Sequence, residues 1–297
     1  MTDFRTPEPD RNRPVAVGVD GSAYAQAAAE WAAQEALRRD VALRVLTVVD
    51  VGSGESPFGP VVPTAHGWDE RVEGALDLLS DTETRLIQVH PDLKVERDVL
   101  VGDPVRALET AGHDAAVLVV GSRGRGGFAG LNLGSVSFHL ASSARGPLVI
   151  VPQGHAAAAH PGPTVVGADM HRCLPVLRYG LEHAARTGGA LHVVHAWTPY
   201  PAHSATYVSD TDITAWHASE QLYDWLKAAD AERFGPLPAI EVLRGRPAEV
   251  LVSQSSHADL IVVGAHRGWL PLSGAVGPVL HELLLHSRCP VAVVPVH

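Results

Sequence analysis

Hydrophobic positions along the chain switch between two periods. Short apolar runs rich in Val, Leu and Ile lie at residues 15–19, Leu43–Val49, Val95–Val101, 117–120 and Leu148–Val151. Such runs suit strands covered on both faces of a sheet. The segments between them follow a helical spacing. Ala28, Trp31, Ala32 and the stretch from Glu35 to Leu37 follow Ser22, which is suited to cap the helix, and this helix is predicted to end near Arg39. Val72, Ala75, Leu76, Leu79 and Leu86 mark a second amphipathic helix. Asp103 opens a third with Pro104 at its first position, and a fourth covers residues 136–144 from Ser135 onward. Residues 52–67 are rich in Gly and Pro and lack either period, so they read as a loop long enough to cover a site. The pattern is βαβαβαβαβ, which predicts an α/β fold built on a parallel sheet.

The same pattern then recurs. PVAVGVDGS at residues 14–22 reappears as PTVVGADMH at 163–171, and Leu43–Val49 corresponds to Leu191–Trp197. Gly102-Asp103-Pro104 corresponds to Gly245-Arg246-Pro247, AAVLVVG at 115–121 to ADLIVVG at 258–264, and GPLVIVP at 146–152 to CPVAVVP at 289–295. Order is kept at a separation of about 143 to 149 residues, the mark of a tandem duplication. The predicted organisation is a disordered lead-in at 1–13, a first domain at 14–152, a linker of Gly, Ala, His and Pro at 153–162, and a second domain at 163–297.

Composition narrows the function classes. Of the 297 residues 46% are hydrophobic and 19% charged, and no apolar run approaches the ~20 residues of a membrane helix. The start of the chain has no apolar signal core, so a cytoplasmic location is expected. Net charge is −10 and both copies are acidic, which argues against nucleic acid as partner. Two cysteines, Cys173 and Cys289, cannot form a disulfide framework or a finger motif. Of the 17 histidines, His192 and His195 lie three apart on a predicted strand and face opposite sides; with no HExxH pattern, no metal site is assigned.

The chemistry concentrates after the fourth strand. Residues 121–135 read GSRGRGGFAGLNLGS, with six glycines, and Ser135 begins a helix. Glycine permits close backbone approach, successive N–H groups form anion-binding nests, and a helix N-terminus favours phosphate. At the carboxyl end of a parallel strand this predicts a phosphate site, against the plainer reading of a glycine loop without ligand. Competing motifs fail: neither Lys94 nor Lys227 follows glycine, which excludes a Walker loop. Gly124, Gly126 and Ala129 spell GxGxxA in the wrong place for an opening βα turn, and one RGG fragment is weak evidence for RNA.

The spaced glycines Gly121-x2-Gly124-x9-Gly134-Ser135, together with Val17-Gly18-Val19-Asp20, resemble the nucleotide-binding universal stress protein family in tandem form, over residues 14–152 and 163–296. The resemblance implies two doubly wound, Rossmann-like domains, each an open five-stranded parallel sheet with helices on both faces. It implies ATP at the carboxyl edge and domains paired through their last strands, Leu148–Val151 and residues 291–294. It places Gly121, Gly124, Gly134 and Ser135 on phosphates and ribose, and Asp20 in the pocket, acting directly or through a divalent ion such as Mg2+. Val48 and Val101 are candidates for the adenine side, and Ser137 reads as a cap.

The second copy departs from this pattern. Asp169, Gly264 and Gly277 are kept, but Arg267 stands for Gly124 and Pro278 for Ser135, with Gly268 one place late. The first copy is therefore expected to hold nucleotide and the second to hold it weakly or to serve as its structural partner. The expected function is an ATP-binding cytoplasmic regulator in stress or growth arrest, with slow hydrolysis at most since no catalytic constellation is seen. Alternatives are a protein-interaction scaffold without nucleotide and an adenylyl-transferring enzyme. Intrachain pairing, a homodimer and an unidentified protein partner all stay open.

Overall fold

The computed structural model describes residues 12–50, 55–56, 59–60, 65–125, 133–155, 162–198, 210–266 and 276–296. The first copy runs β1 (Val15–Gly18), α1 (Ala23–Arg39), β2 (Leu43–Val49), a small hairpin of β3 (Glu55–Ser56) and β4 (Gly59–Pro60), α2 (Ala65–Val89), β5 (Val95–Val101), α3 (Pro104–His113), β6 (Val117–Gly121), α4 (Ser135–Ser143) and β7 (Leu148–Val151). The second runs β8 (Thr164–Gly167), α5 (Leu174–Thr187), β9 (Leu191–Trp197), α6 (Asp210–Ala228), β10 (Ala239–Arg244), α7 (Pro247–Gln254), β11 (Leu260–His266), α8 (Pro278–His286) and β12 (Val291–Val296). The aperiodic stretch at 52–67 is corrected at its end, where Ala65 already starts α2. The rest of it outside the hairpin lies beyond the described residues.

Local rules account for the helix ends. Ser22 caps α1, its hydroxyl accepting from the Ala25 N–H at 3.1 Å. Asp103 caps α3 through the Arg106 N–H at 2.9 Å, with Pro104 at the first helical position. Ala25, Ala28, Ala29, Ala32 and Ala36 are buried along α1, and these small side chains bring its axis close to the sheet.

The sheet is continuous across the repeat. Its order is β10-β9-β8-β11-β12-β7-β6-β1-β2-β5, parallel within each copy and antiparallel only where β7 meets β12, Val291 opposite Ile150 and Val293 opposite Leu148. Each five-stranded half thus covers the last strand of the other, leaving β5 and β10 as outer edges. α1, α2, α5 and α6 cover one face, around Leu79, Leu177, Leu222 and Leu226. α3, α4, α7 and α8 cover the other, around Leu108, Leu140, Leu251 and Leu283.

On the first face α1 and α5 meet through a buried polar cluster. Glu35, fully buried, accepts from Arg39 at 2.6 Å and from Arg186 of the second copy at 3.2 Å. The His183 ring lies 3.8 Å from the other Glu35 oxygen, contacts the Thr164 hydroxyl at 3.0 Å and stacks on Trp31. Burial opposes ionisation of Glu35, but Arg39, then His183 and Arg186, outweigh it, and its carboxyl is held below the ordinary range. Burial pulls His183 down to about 4 and pushes the Tyr179 phenol up to about 12. This cluster ties the two copies together.

Candidate functional site

β1 and β6 are neighbours whose connections leave in opposite directions, so a crevice opens beyond their carboxyl ends. Asp20, two residues past β1, stands at this crevice. Its Oδ1 accepts from the Ser22 N–H at 2.9 Å and its Oδ2 from the Arg125 N–H at 2.8 Å, joining the first strand to the glycine loop. Both ends of that loop are fastened. The Gly134 N–H donates to the Ser122 carbonyl at 2.8 Å, and the Ser137 hydroxyl donates to the Gly121 carbonyl at 2.7 Å. Ser137 is therefore a brace and not a cap, which corrects its sequence reading. The only sequence signal for this was a hydroxyl set among apolar helix positions.

The glycines have separate physical reasons. A β-carbon on Gly121 would lie 2.7 Å from the Tyr24 backbone of α1, so glycine here permits α1 to approach the strand end. A β-carbon on Gly124 would meet Asp20 Oδ2 at 2.6 Å, and one on Gly134 would meet the Arg123 Cα at 3.2 Å. Gly121→Ala is expected to cost roughly 1–3 kcal/mol, since neighbouring backbone cannot yield as a flexible side chain can. Thermal denaturation checks this, and an unchanged midpoint would contradict the packing assignment.

Ser135 is exposed as the first residue of α4, with Gly134 at the cap position and no side chain there to satisfy the helix end. The first N–H groups of an α-helix have no acceptor within it, and together with the helix dipole they favour an anion. Two loop arginines stand close by. The Arg125 guanidinium packs on Gly21, and that of Arg123 lies 5.8 Å from the Tyr24 ring centre. Residues 126–132, the centre of the glycine loop, lie outside the described residues.

Asp20, Gly121, Gly124, Gly134 and Ser135 are thus brought to one end of the sheet. Val48 joins the face packed by Leu100, Leu133 and Val136. Val101 does not: it pairs with Val49, not Val48, and is 56% exposed near the outer edge of the sheet. Leu100 is the β5 residue that shares the face of Val48.

In the second copy Asp169, Gly264 and Gly277 gather at the corresponding end, beyond β8 and β11. Gly268 and Arg267 lie outside the described residues. Pro278 is accommodated as the first residue of α8. A cavity of about 400 Å3 opens there, lined on one side by Asp169, His195, Gly264, Gly277 and Leu251 and on the other by Ala141 and Ser142 from α4 of the first copy. His195, which composition grouped with surface and core histidines, belongs to this cavity. Among the described residues no group of three or more His, Cys, Asp or Glu gathers as a metal cluster, and no helix is long and apolar enough to cross a membrane.

Comparison with known proteins adds to this geometry. The model of the universal stress protein family matches residues 11–152 and 164–295. A universal stress protein of Mycobacterium tuberculosis is 31% identical over 299 residues, covering 96% of this chain and 98% of the relative. A second from the same organism is 30% identical over 312 residues, covering 95% of each. Among solved structures, a universal stress protein from Archaeoglobus fulgidus superposes with a TM-score of 0.67 at 18% identity, covering 95% of this chain and 98% of its own, and so shares the fold.

Proposed function

Because the chain belongs to the universal stress protein family, we propose that it is an ATP-binding regulator of the cytoplasm, acting in stress or growth arrest, with nucleotide held mainly by the first copy. The observation that carries this reading is the convergence of Asp20, the fastened glycine loop and the N-terminus of α4 on the crevice between β1 and β6. ATP brings a polyphosphate that the N–H groups from Ser135 onward and the backbone at Gly124 would hold, and a ribose or Mg2+ that the spare lone pairs of Asp20 would meet. The base would lie toward Val48. Occupancy would then bias how the copies meet a partner. α4 faces α8 of the second copy, with the rings of Phe138 and His281 edge to face at 6.1 Å, so a ligand at the start of α4 acts on an element shared with the other half. The buried free thiols, each pushed up to about 12 by burial, suit a reducing compartment.

The test copies the second repeat into the first. Ser135→Pro removes one N–H and one hydroxyl at a helix position that tolerates proline. Calorimetric titration is expected to show ATP affinity falling about tenfold with adenosine affinity nearly unchanged. An equal loss for both ligands would place the phosphates elsewhere.

A further inference from the structure

The two halves meet about a local two-fold axis. β7 and β12 pair so that Val149 lies opposite Ala292, and these are equivalent positions of the repeat, one in GPLVIVP and the other in CPVAVVP. The helices on the first face obey the same axis. Counted back from Asp40 and Gly188, the left-handed residues that end α1 and α5, Glu35 is equivalent to His183 and Trp31 to Tyr179. Trp31 stacks on His183, and a Glu35 oxygen lies 3.8 Å from the same ring. On the other face Phe138 of α4 meets its counterpart His281 of α8. In a symmetric pair of identical copies, residues on such an axis would face themselves. Here each faces a residue of different size or charge.

Size is divided between the two strands. Leu148 is larger than its counterpart Val291, Val149 than Ala292 and Ile150 than Val293, and all six are buried. The ladder sets Ile150 on Val291 and Leu148 on Val293, so a strand of larger side chains packs beside one of smaller side chains. Two first copies meeting through β7 would crowd a close-packed core, and two second copies meeting through β12 would leave a cavity.

Charge is divided in the same sense. Glu35 is fully buried and accepts from Arg186 of the second copy at 3.2 Å. Two first copies would set Glu35 against Glu35, like charges in a buried place, and would lose Arg186. Two second copies would leave Arg186 without Glu35, with only Glu182 of its own helix at 3.7 Å.

We infer that this face is an interaction surface that accepts only the complementary copy: a first copy fits a second copy, and neither fits its own kind. The selectivity comes as much from the like pairs that it penalises as from the unlike pair that it favours. Its occupant is the other half of this chain, and larger assemblies of the chain must use other surfaces.

Exchange of side chains across the axis tests this in the full chain. Ala292→Val sets Val against Val, and Val149→Ala sets Ala against Ala. Each is expected to lower the melting temperature by roughly 4 °C or more. The double variant restores one large and one small residue in reversed order and is expected to return within about 1 °C of the wild-type chain. Residues that mattered only to their own surroundings would show no such recovery. His183→Glu is expected to melt lower than His183→Ala, since it alone brings two carboxylates together. A protease site inserted in the linker then reads the pairing itself. The chain is cut after folding, the two halves are unfolded and refolded together, and native mass spectrometry is expected to find only pairs of unlike halves. If the halves do not refold once cut, the variants of the uncut chain still decide. The inference is overturned if the two strand losses add, if His183→Glu melts no lower than His183→Ala, or if like pairs form as abundantly as unlike ones.

Discussion

Gly124→Val is expected to lower ATP affinity by at least about tenfold while the protein still folds. Gly124 is exposed, and the group a β-carbon would strike, 2.6 Å away, is the carboxylate of Asp20. That carboxylate ends a side chain that can swing aside, so the strain is relieved at little cost to the core. The relief removes the hydrogen bond from the Arg125 N–H to Asp20, and with it the tie between the first strand and the start of the glycine loop. The outcome contrasts with Gly121→Ala, where the obstacle is backbone and the loss falls on stability. Equilibrium titration with ATP beside a thermal scan separates the two. Unchanged affinity in Gly124→Val would remove the loop from the site.

Glu35→Ala is expected to cost roughly 3–5 kcal/mol, because it strands buried guanidinium groups that the carboxylate now compensates. Arg39 keeps 14% of its side-chain exposure and Arg186 keeps 19%, so neither can turn fully to water without leaving its place. For a chain of this size the melting temperature should fall by roughly 10 °C. Scanning calorimetry checks this, and a fall within about 0.5 kcal/mol of wild type would show the cluster to be unimportant.

The same cluster sets the direction of the acid response. His183 is pulled to about 4 in the fold from an ordinary 6.5, so between these values the unfolded chain binds the extra proton and stability falls as pH falls. Glu35, held below its ordinary 4.5, adds its own loss as pH falls from that ordinary value down through its lowered folded one.

Much of this architecture was legible along the chain because it rests on local rules. Ser22 and Asp103-Pro104 placed two helix starts, and the duplication from Pro14 and from Pro163 placed the two halves. Glu35 fell on the apolar spacing of its helix and is indeed buried, but Arg186 is 151 residues away and no local pattern announces it. The glycines were read as openings for a ligand. Gly121, Gly124 and Gly134 each also answer to a neighbour met only in three dimensions: Tyr24, Asp20 and Arg123. Val48 and Val101 were both candidates for the adenine side, yet the pairing of β2 with β5 puts Leu100 beside Val48. The cavity with His195 was invisible because it needs α4 of the other copy to complete it.

The most direct test of nucleotide binding by the first copy is to denature the purified protein, separate the released small molecules by chromatography and count adenine nucleotide per chain, before and after loading with ATP and magnesium. The account predicts about one ATP per chain, held by the first copy. About two would show that Arg267 and Pro278 are tolerated and that the copies do not differ as described. None released and none taken up would contradict nucleotide binding altogether.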